Sequence, residues 1–321
     1  LALALSGCGG TPQPSPGSSD PASKTTITFS YLWGGDEGKA IEGLIAKYNA
    51  SQDKTEVKGV SAPDMTKQVT AMASKTGSFD VSDNFGNGVG SWAQKGVIEP
   101  LDDLLIKAGG SADDFIPSAM SQMKYQGKIY SLPIAVHTFQ LYYNKKMLAD
   151  AGIKPPTTLV ELASANDKLT KKDAAGNITQ MGLGNPDAAT TLTTLGYAMG
   201  GTWDGGDAAN PVPSPTSAGN VAALKWWTDN ITGKYGPEAV KKFAAGWGEY
   251  MSAQDPFYTG KVAMIIDGEW QAVNIPKKAM GLDVGVVPIP VDDPARVGTT
   301  QLTASTLFIP ANSAHKAEAA A

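Results

Sequence analysis

An α/β architecture with a mainly parallel sheet is what this sequence predicts, and three observations predict it. Short runs rich in β-formers alternate with amphipathic helical segments through the first hundred residues, in the order β, α, β, α, β, α. Further on, Val262-Ala263-Met264-Ile265-Ile266 is an unbroken apolar run between a turn at Gly260-Lys261 and a polar loop at Asp267-Gly268. That pattern marks a strand covered on both faces, and ligands of open α/β sheets gather in loops that follow such strands. Finally, 321 residues are enough for two domains, each with its own core.

The elements follow in order. Ile27 to Trp33 alternates as a strand and is broken by Gly34-Gly35-Asp36. From Lys39 to Asn49, Ala40, Ile41, Leu44, Ile45 and Tyr48 share one helical face, with Asp36 and Glu37 well placed at the helix N-terminus. A strand over Glu56–Val60, a helix over Asp64–Ser74 and a strand over Phe79–Ser82 continue the alternation, and Asn84 to Gly88 forms a loop opening a helix that holds Trp92. Pro100 starts a short helix whose first turn is acidic. Gly127–Pro133 and Phe139–Asn144 read as two strands separated by the His137 segment. Leu159–Leu169 is helical, with Thr157 or Thr158 as its cap. Ala208–Ser217 is Pro-rich and irregular, and Ala218–Ile231 is helical. Strands are expected at Val284–Pro290 and Ala304–Ile309. The helix that starts within Ala311–Ala321 has no apolar partner after it, so a further C-terminal portion is expected.

Charge and cysteine content narrow the function. A net charge of -5 argues against nucleic acid or an anionic membrane surface as the main partner. No apolar run is long enough to span a bilayer. One cysteine and two histidines exclude the usual structural zinc sites and any internal disulfide, and nothing calls for a cofactor. That cysteine ends Leu1 to Cys8, an apolar stretch followed by small residues, which reads as the tail of a secretory signal. Leu5-Ser6-Gly7-Cys8 resembles the bacterial lipobox, whose cysteine is lipidated; the plainer alternative is an apolar start with a buried thiol. Residues 9–25 are dominated by Gly, Pro, Ser, Thr and Asp and form a flexible linker. The folded part is therefore expected outside the cell membrane, tethered through Cys8.

Four blocks then appear in order: Gly127-Lys128-Ile129-Tyr130-Ser131-Leu132-Pro133; Leu141-Tyr142-Tyr143-Asn144-Lys145; Gly260-Lys261-Val262-Ala263-Met264 with Gly268 and Trp270; and Val287-Pro288-Ile289-Pro290. Together, behind a lipobox and a polar linker, they resemble the extracellular solute-binding proteins of bacterial ABC importers, in the carbohydrate-binding family that includes maltose-binding protein. The resemblance implies a two-lobed periplasmic-binding-protein-like fold, with discontinuous lobes joined by hinge strands and a ligand cleft between them. Carried over, residues 26–125 and 267–302 would form lobe one, 126–141 the crossover and 142–266 lobe two. Residues 303–321 would be a return strand and the start of a helix, and the run Val262–Ile266 would cross between lobes. Two departures bear on the solute. Thr158-Leu159 stands where many members have an aromatic, and Gly298-Thr299-Thr300 stands near a segment that is commonly Gly-Gly.

Sugar binding needs aromatic faces for C–H surfaces and polar groups that repair desolvated hydroxyls, since an unmet hydrogen bond costs about 1–3 kcal/mol. Trp270 is the stacking candidate that the resemblance favours, with Glu269 and Asp267 in the same loop. Asp267 has the alternative of bonding the turn backbone. His137 holds the position where the family has an acidic sugar contact between lobes. Asn84 and Asn87 lie in a loop that carries polar contacts in the family, and Trp33, Asp36 and Glu37 follow the first strand. Trp203, Trp247, Asn185 and Asp187 are candidates from lobe two, whereas Trp92 and the Trp226-Trp227 pair sit at helical positions and read as core. Tyr142 and Tyr143 point to opposite faces of a strand and cannot share one metal.

The expected function is a non-enzymatic, monomeric receptor that captures a mono- or oligosaccharide by hinge closure and presents it to permease subunits. One alternative keeps the fold and binds a polyamine or other cation in a box of Asp36, Glu37, Asp187 and Glu269. Another is a surface-anchored glycosidase using Asp267 and Glu269.

Overall fold

The computed structural model describes residues 24–321 apart from Pro63, Lys75, Thr76, Ser78, residues 185–187 and residues 208 and 209. The chain opens with β1 (Thr25–Tyr31), β2 (Thr55–Ser61) and β3 (Val81–Phe85), alternating with helices Gly35–Ser51, Met65–Met72 and Val89–Gln94. A short hairpin, β4 (Lys124–Tyr125) and β5 (Lys128–Ile129), leads into β6 (Leu132–Asn144). Then come β7 (Lys171–Lys172), β8 (Ile178–Leu183), the hairpin of β9 (Asp204–Asp207) and β10 (Asn210–Pro213), β11 (Val262–Gly268), β12 (Val284–Val287) and β13 (Leu302–Phe308).

The opening alternation folds as its pattern predicts. β1 pairs in parallel with both β2 and β3. Phe29 and Tyr31 bury against Ile41 and Ile45 on one face of the first helix. Asp64 caps the next helix, accepting from the backbone N–H groups of Thr66 (3.0 Å) and Lys67 (3.1 Å). β3 departs from expectation. It starts at Val81 rather than Phe79 and takes in Asn84, because Ser82 to Phe85 pair with Phe308 to Ser305 of β13.

The His137 segment does not separate two strands. β6 is a single thirteen-residue strand whose first part, Leu132 to Thr138, pairs antiparallel with β13. Its second part pairs with β11 over Phe139–Tyr143 and with β12 over Leu141–Asn144. The sheet therefore runs β2-β1-β3-β13-β6-β11-β8-β7, with β12 beside β6. The strand that passes from one half to the other is β6.

β11 is buried along its whole length, antiparallel to β6 and parallel to β8. It stays within the second half, so the crossing expected of Val262–Ile266 belongs to β6 instead. The segment 267–302, expected to return to the first lobe, also packs with the second. β12 finds its ladder on the end of β6, and Ile275, Ile289 and Val291 join the core built on Leu141, Met181, Leu183 and β11. Asp204–Asp207 and Asn210–Pro213, the latter within a stretch expected to be irregular, pair as two antiparallel strands. The helix expected over Ala218–Ile231 is α-helical to Trp227 and continues as a π-turn through Thr232.

The helix Leu159–Leu169 has the predicted bounds and a reciprocal cap. Thr158 Oγ1 accepts from Glu161 N at 3.1 Å, while the Glu161 carboxylate accepts from Thr157 N at 2.8 Å and Thr158 N at 3.3 Å. Thr158→Ala removes one side of this arrangement. It should cost about 1 kcal/mol, read as a thermal-melt midpoint lower by about 2–4 °C.

Candidate functional site

Three segments converge where β6 passes between the halves: His137 and Phe139 on β6, Glu269 and Trp270 in the turn after β11, and Ser305 on β13. Glu269 Oε1 lies 2.7 Å from His137 Nδ1, and Glu269 Oε2 accepts from Thr138 N at 3.2 Å. Ser305 Oγ lies 3.0 Å from His137 Nε2. A carboxylate accepts only, so Nδ1 carries a proton, and on a neutral ring Nε2 receives the Ser305 hydroxyl. Both ring nitrogens are thereby engaged. His137 presents its ring edge to Trp270 (centroids 5.6 Å apart, 73° between planes) and holds Glu269 in place. Glu269 keeps 48% of its side chain exposed and is the carboxylate offered outward.

Trp270 is half-buried and held on several sides. Phe139 meets it edge-on at 5.6 Å, and its Nε1–H donates to Tyr250 OH at 2.8 Å. Its ring lies over Gly268, where a Cβ would come within 2.2 Å of ring carbons, so this position must lack a side chain. Asp267, only two residues from Glu269, faces the interior at 3% exposure. It accepts from Tyr250 OH (2.7 Å), Gln271 Nε2 (2.7 Å) and its neighbouring Gly268 N (2.8 Å). Burial pushes its carboxyl up to about 6 against those stabilising hydrogen bonds.

The residues expected from the first lobe separate into different environments. Asn84 is buried within β3, donating to Gln68 Oε1 (2.5 Å) and accepting from Phe85 N (2.7 Å). It belongs to an interior network in which Gln68 also bonds Ser82 and the carbonyl of Asp83. Asn87 is exposed in the turn that follows. Trp33 is half-buried and packs against the Phe29–Ile41 core. Asp36 and Glu37 are exposed in the first turn of their helix. Asp36 pairs with Lys277 (3.0 Å) of the helix Gln271–Lys278 and with Lys39 (3.4 Å), and the nearby Lys277 ammonium, above all, holds its carboxyl below the usual range. Of the acidic box expected of Asp36, Glu37, Asp187 and Glu269, Asp187 lies outside the described residues, Asp36 is paired with lysines and Glu269 with His137.

Trp203 donates its Nε1–H to Thr193 O at 3.2 Å. Trp247 packs edge-on against Phe243 (6.0 Å, 88°) at the margin of the second core, its Nε1 buried without a partner. Trp92 and Trp227 are core residues as expected, while Trp226 is half-buried. Asn185, Asp187 and Cys8, with the rest of residues 1–23, lie outside the described residues. Among the described residues there is no cluster of three or more His, Cys, Asp or Glu suited to a metal, and no helix is long and apolar enough to cross a membrane.

Three residues near this region escaped the sequence reading. Phe85 ends β3 with 42% exposure, in register with Ser305. It follows three consecutive buried polar residues, Ser82, Asp83 and Asn84, so no alternation in the sequence marks it. Tyr250 touches both Trp270 and Asp267 from a segment without a motif. Asp83, 1% exposed, accepts from Leu32 N at 2.7 Å while its second oxygen has no partner, and burial pushes the group up to about 6.

A two-lobed α/β fold with a polar and aromatic cluster beside the crossover strand defines the solute-binding class of protein. The chain belongs to the bacterial extracellular solute-binding protein family, whose model matches residues 34–321. It is 26% identical over 202 residues to the maltotriose-binding protein of Pyrococcus abyssi, covering 63% of this chain and 40% of that one. It is 30% identical over 235 residues to a putative binding protein of Brucella abortus, covering 71% of this chain and 53% of the relative. The chain thus spans about half the length of these curated relatives. Among solved structures, the mannobiose-bound form of CpMnBP1 superposes with a TM-score of 0.77 and 30% identity, over 92% of this chain and 76% of that one.

Asp83 and Asp267 both bind protons more tightly folded than unfolded. Their burial therefore costs stability that is absent below about pH 4, grows as pH rises through about 6 and is complete above it, on the order of 1–3 kcal/mol for each. Asp83→Asn keeps the acceptor for Leu32 N–H and cannot ionise. Its melting temperature, relative to the parent chain, should rise between pH 5 and pH 7.

Proposed function

We propose that this chain is the capture component of a bacterial importer and that its solute is a sugar, either a monosaccharide or a short oligosaccharide. The observation that carries this reading is the pairing of Trp270 with Glu269 at the crossover. An aromatic ring fixed by its neighbours stands beside a half-exposed carboxylate already oriented by His137 and Thr138. Sugars ask for that combination, a face for ring C–H groups and an acceptor for hydroxyls that lose water. The names of similar proteins point the same way, one binding maltotriose and another solved with mannobiose bound.

In this reading the two lobes close about β6 and the closed form engages the permease. His137 acts by orienting Glu269, and Asp267 and Asn84 by holding the surrounding structure. Trp33, Asn87, Phe85 and Glu37 are the nearby groups left to contact solute from the first lobe, and Trp203, Asn185 and Asp187 remain candidates from the second. The chain acts as a monomer, tethered outside the cell through a lipidated Cys8. A cation as solute is disfavoured by the pairing of Asp36 with Lys277 and Lys39. A glycosidase is disfavoured because Asp267 is enclosed by Tyr250 and Gln271 and does not share open space with Glu269.

Intrinsic tryptophan fluorescence during titration with mannobiose and maltotriose tests this function. Trp270→Ala should weaken binding at least about 10-fold, and Glu269→Gln about 10- to 100-fold, the worth of a charged hydrogen bond. Unchanged affinity in Trp270→Ala would remove the stacking wall, and saturation by a polyamine but by neither saccharide would overturn the sugar reading.

A further inference from the structure

The turn that presents Trp270 is fastened from the inside by a directional chain of hydrogen bonds. Trp270 Nε1–H donates to Tyr250 OH (2.8 Å), and Tyr250 donates in turn to Asp267 Oδ1 (2.7 Å). The other carboxylate oxygen accepts from Gln271 Nε2 (2.7 Å), whose own Oε1 accepts from Tyr258 OH (2.5 Å). Gly268 N adds a third donor to the carboxylate at 2.8 Å. Every donor in the chain points towards Asp267 or towards a group that does.

The direction of these bonds matters more than their number. An ionised Asp267 accepts from all of them at once. A proton placed on Oδ1 would confront Tyr250 O–H and Gly268 N–H, and one on Oδ2 would confront the Gln271 amide. Protonation therefore breaks at least one link, and the link through Tyr250 is the one that reaches Trp270.

We propose that Tyr250 and Asp267 are positioning residues that fix the plane of the Trp270 ring, and that the solute site loosens when Asp267 takes up a proton. This rests on the reading of Trp270 as a wall of that site. The titratable groups around Asp267 are Tyr250, Asp255 and Tyr258 from the segment before and leading into β11, Tyr142 from β6, and Glu269 beyond Gly268, while His137 of β6 faces Glu269 and the edge of the Trp270 ring. Burial, with Asp255 adding to it, brings Asp267 to about 6, so proton uptake falls in mildly acidic solution. Burial and the neighbouring carboxylates push the hydroxyls of Tyr250 and Tyr258 well above the ordinary tyrosine range, so both stay donors throughout. Acidification thus tightens the fold around a neutral Asp267 while releasing the ring, two effects of opposite sign that a purely structural network would not give.

The experiment uses the indole N–H resonances of 15N-labelled protein, with that of Trp270 identified by its loss in Trp270→Phe. The Trp270 resonance should shift in Tyr250→Phe, titrate with a midpoint near pH 6 in the parent chain and still titrate in His137→Gln, and become independent of pH when Asp267→Asn is added to His137→Gln. In parallel fluorescence titrations with mannobiose and maltotriose, the parent should bind about 5- to 10-fold more weakly at pH 5 than at pH 7. Tyr250→Phe should bind about 10-fold more weakly at pH 7, the worth of one hydrogen bond, with its melting temperature within a few degrees of the parent. An indole resonance unmoved by Tyr250→Phe, or a pH profile of His137→Gln that survives the addition of Asp267→Asn, overturns the proposal. An indole that titrates as expected in a chain that binds neither saccharide upholds the positioning of Trp270 and overturns the sugar reading instead.

Discussion

The pairing of one continuous strand, β6, with partners in both halves is the constraint on which the rest of this structure depends. Its first residues are hydrogen-bonded to β13 and its last to β11 and β12, so one strand belongs to two cores. Because a strand's side chains alternate in direction, any slip in register would turn the His137 side chain to the opposite face. His137 and Phe139 share a face, which is why the ring of Trp270 meets both. The cluster beside the crossover is thus built by strand register, and the turn after β11 only completes it.

The turn itself shows how environment separates like residues. Asp267 and Glu269 are two positions apart and both carry a carboxylate. Asp267, the last acid on a buried strand, is enclosed by two tyrosines and a glutamine. Glu269, one step past the strand, is held at its edge by a histidine and a backbone amide and stays open to solvent. Gly268 between them makes the change of direction and leaves room for the indole ring. The interior acid is bonded to the tyrosine that also bonds the indole, and the outer one faces solvent.

What the sequence made legible was local. The helix Leu159–Leu169 announced its cap at Thr158, the apolar run of β11 announced a strand buried on both faces, and the opening alternation announced parallel pairing. Trp270 is singled out by the family resemblance, in a loop that the sequence places after a buried strand. Asn84 was misplaced because β3 takes its register from β13, near the other end of the chain. His137 was assigned a direct contact because nothing nearby reveals Glu269 and Ser305 on its two nitrogens. Asp83 and Tyr250 were missed for the same reason: a single polar residue in a strand or loop gains meaning only from partners that tertiary structure brings to it.

The late partner of β3 has a consequence for how the molecule is made. β1, β2 and β3 are adjacent in sequence and can pair early, but the outer edge of β3 stays bare until β13 arrives. An open edge is a template for pairing with other chains while it waits. Long-range closure of this kind is slow, since the loop between the partners must be ordered before the contact repays it. The first half of the sheet is therefore the last to be finished.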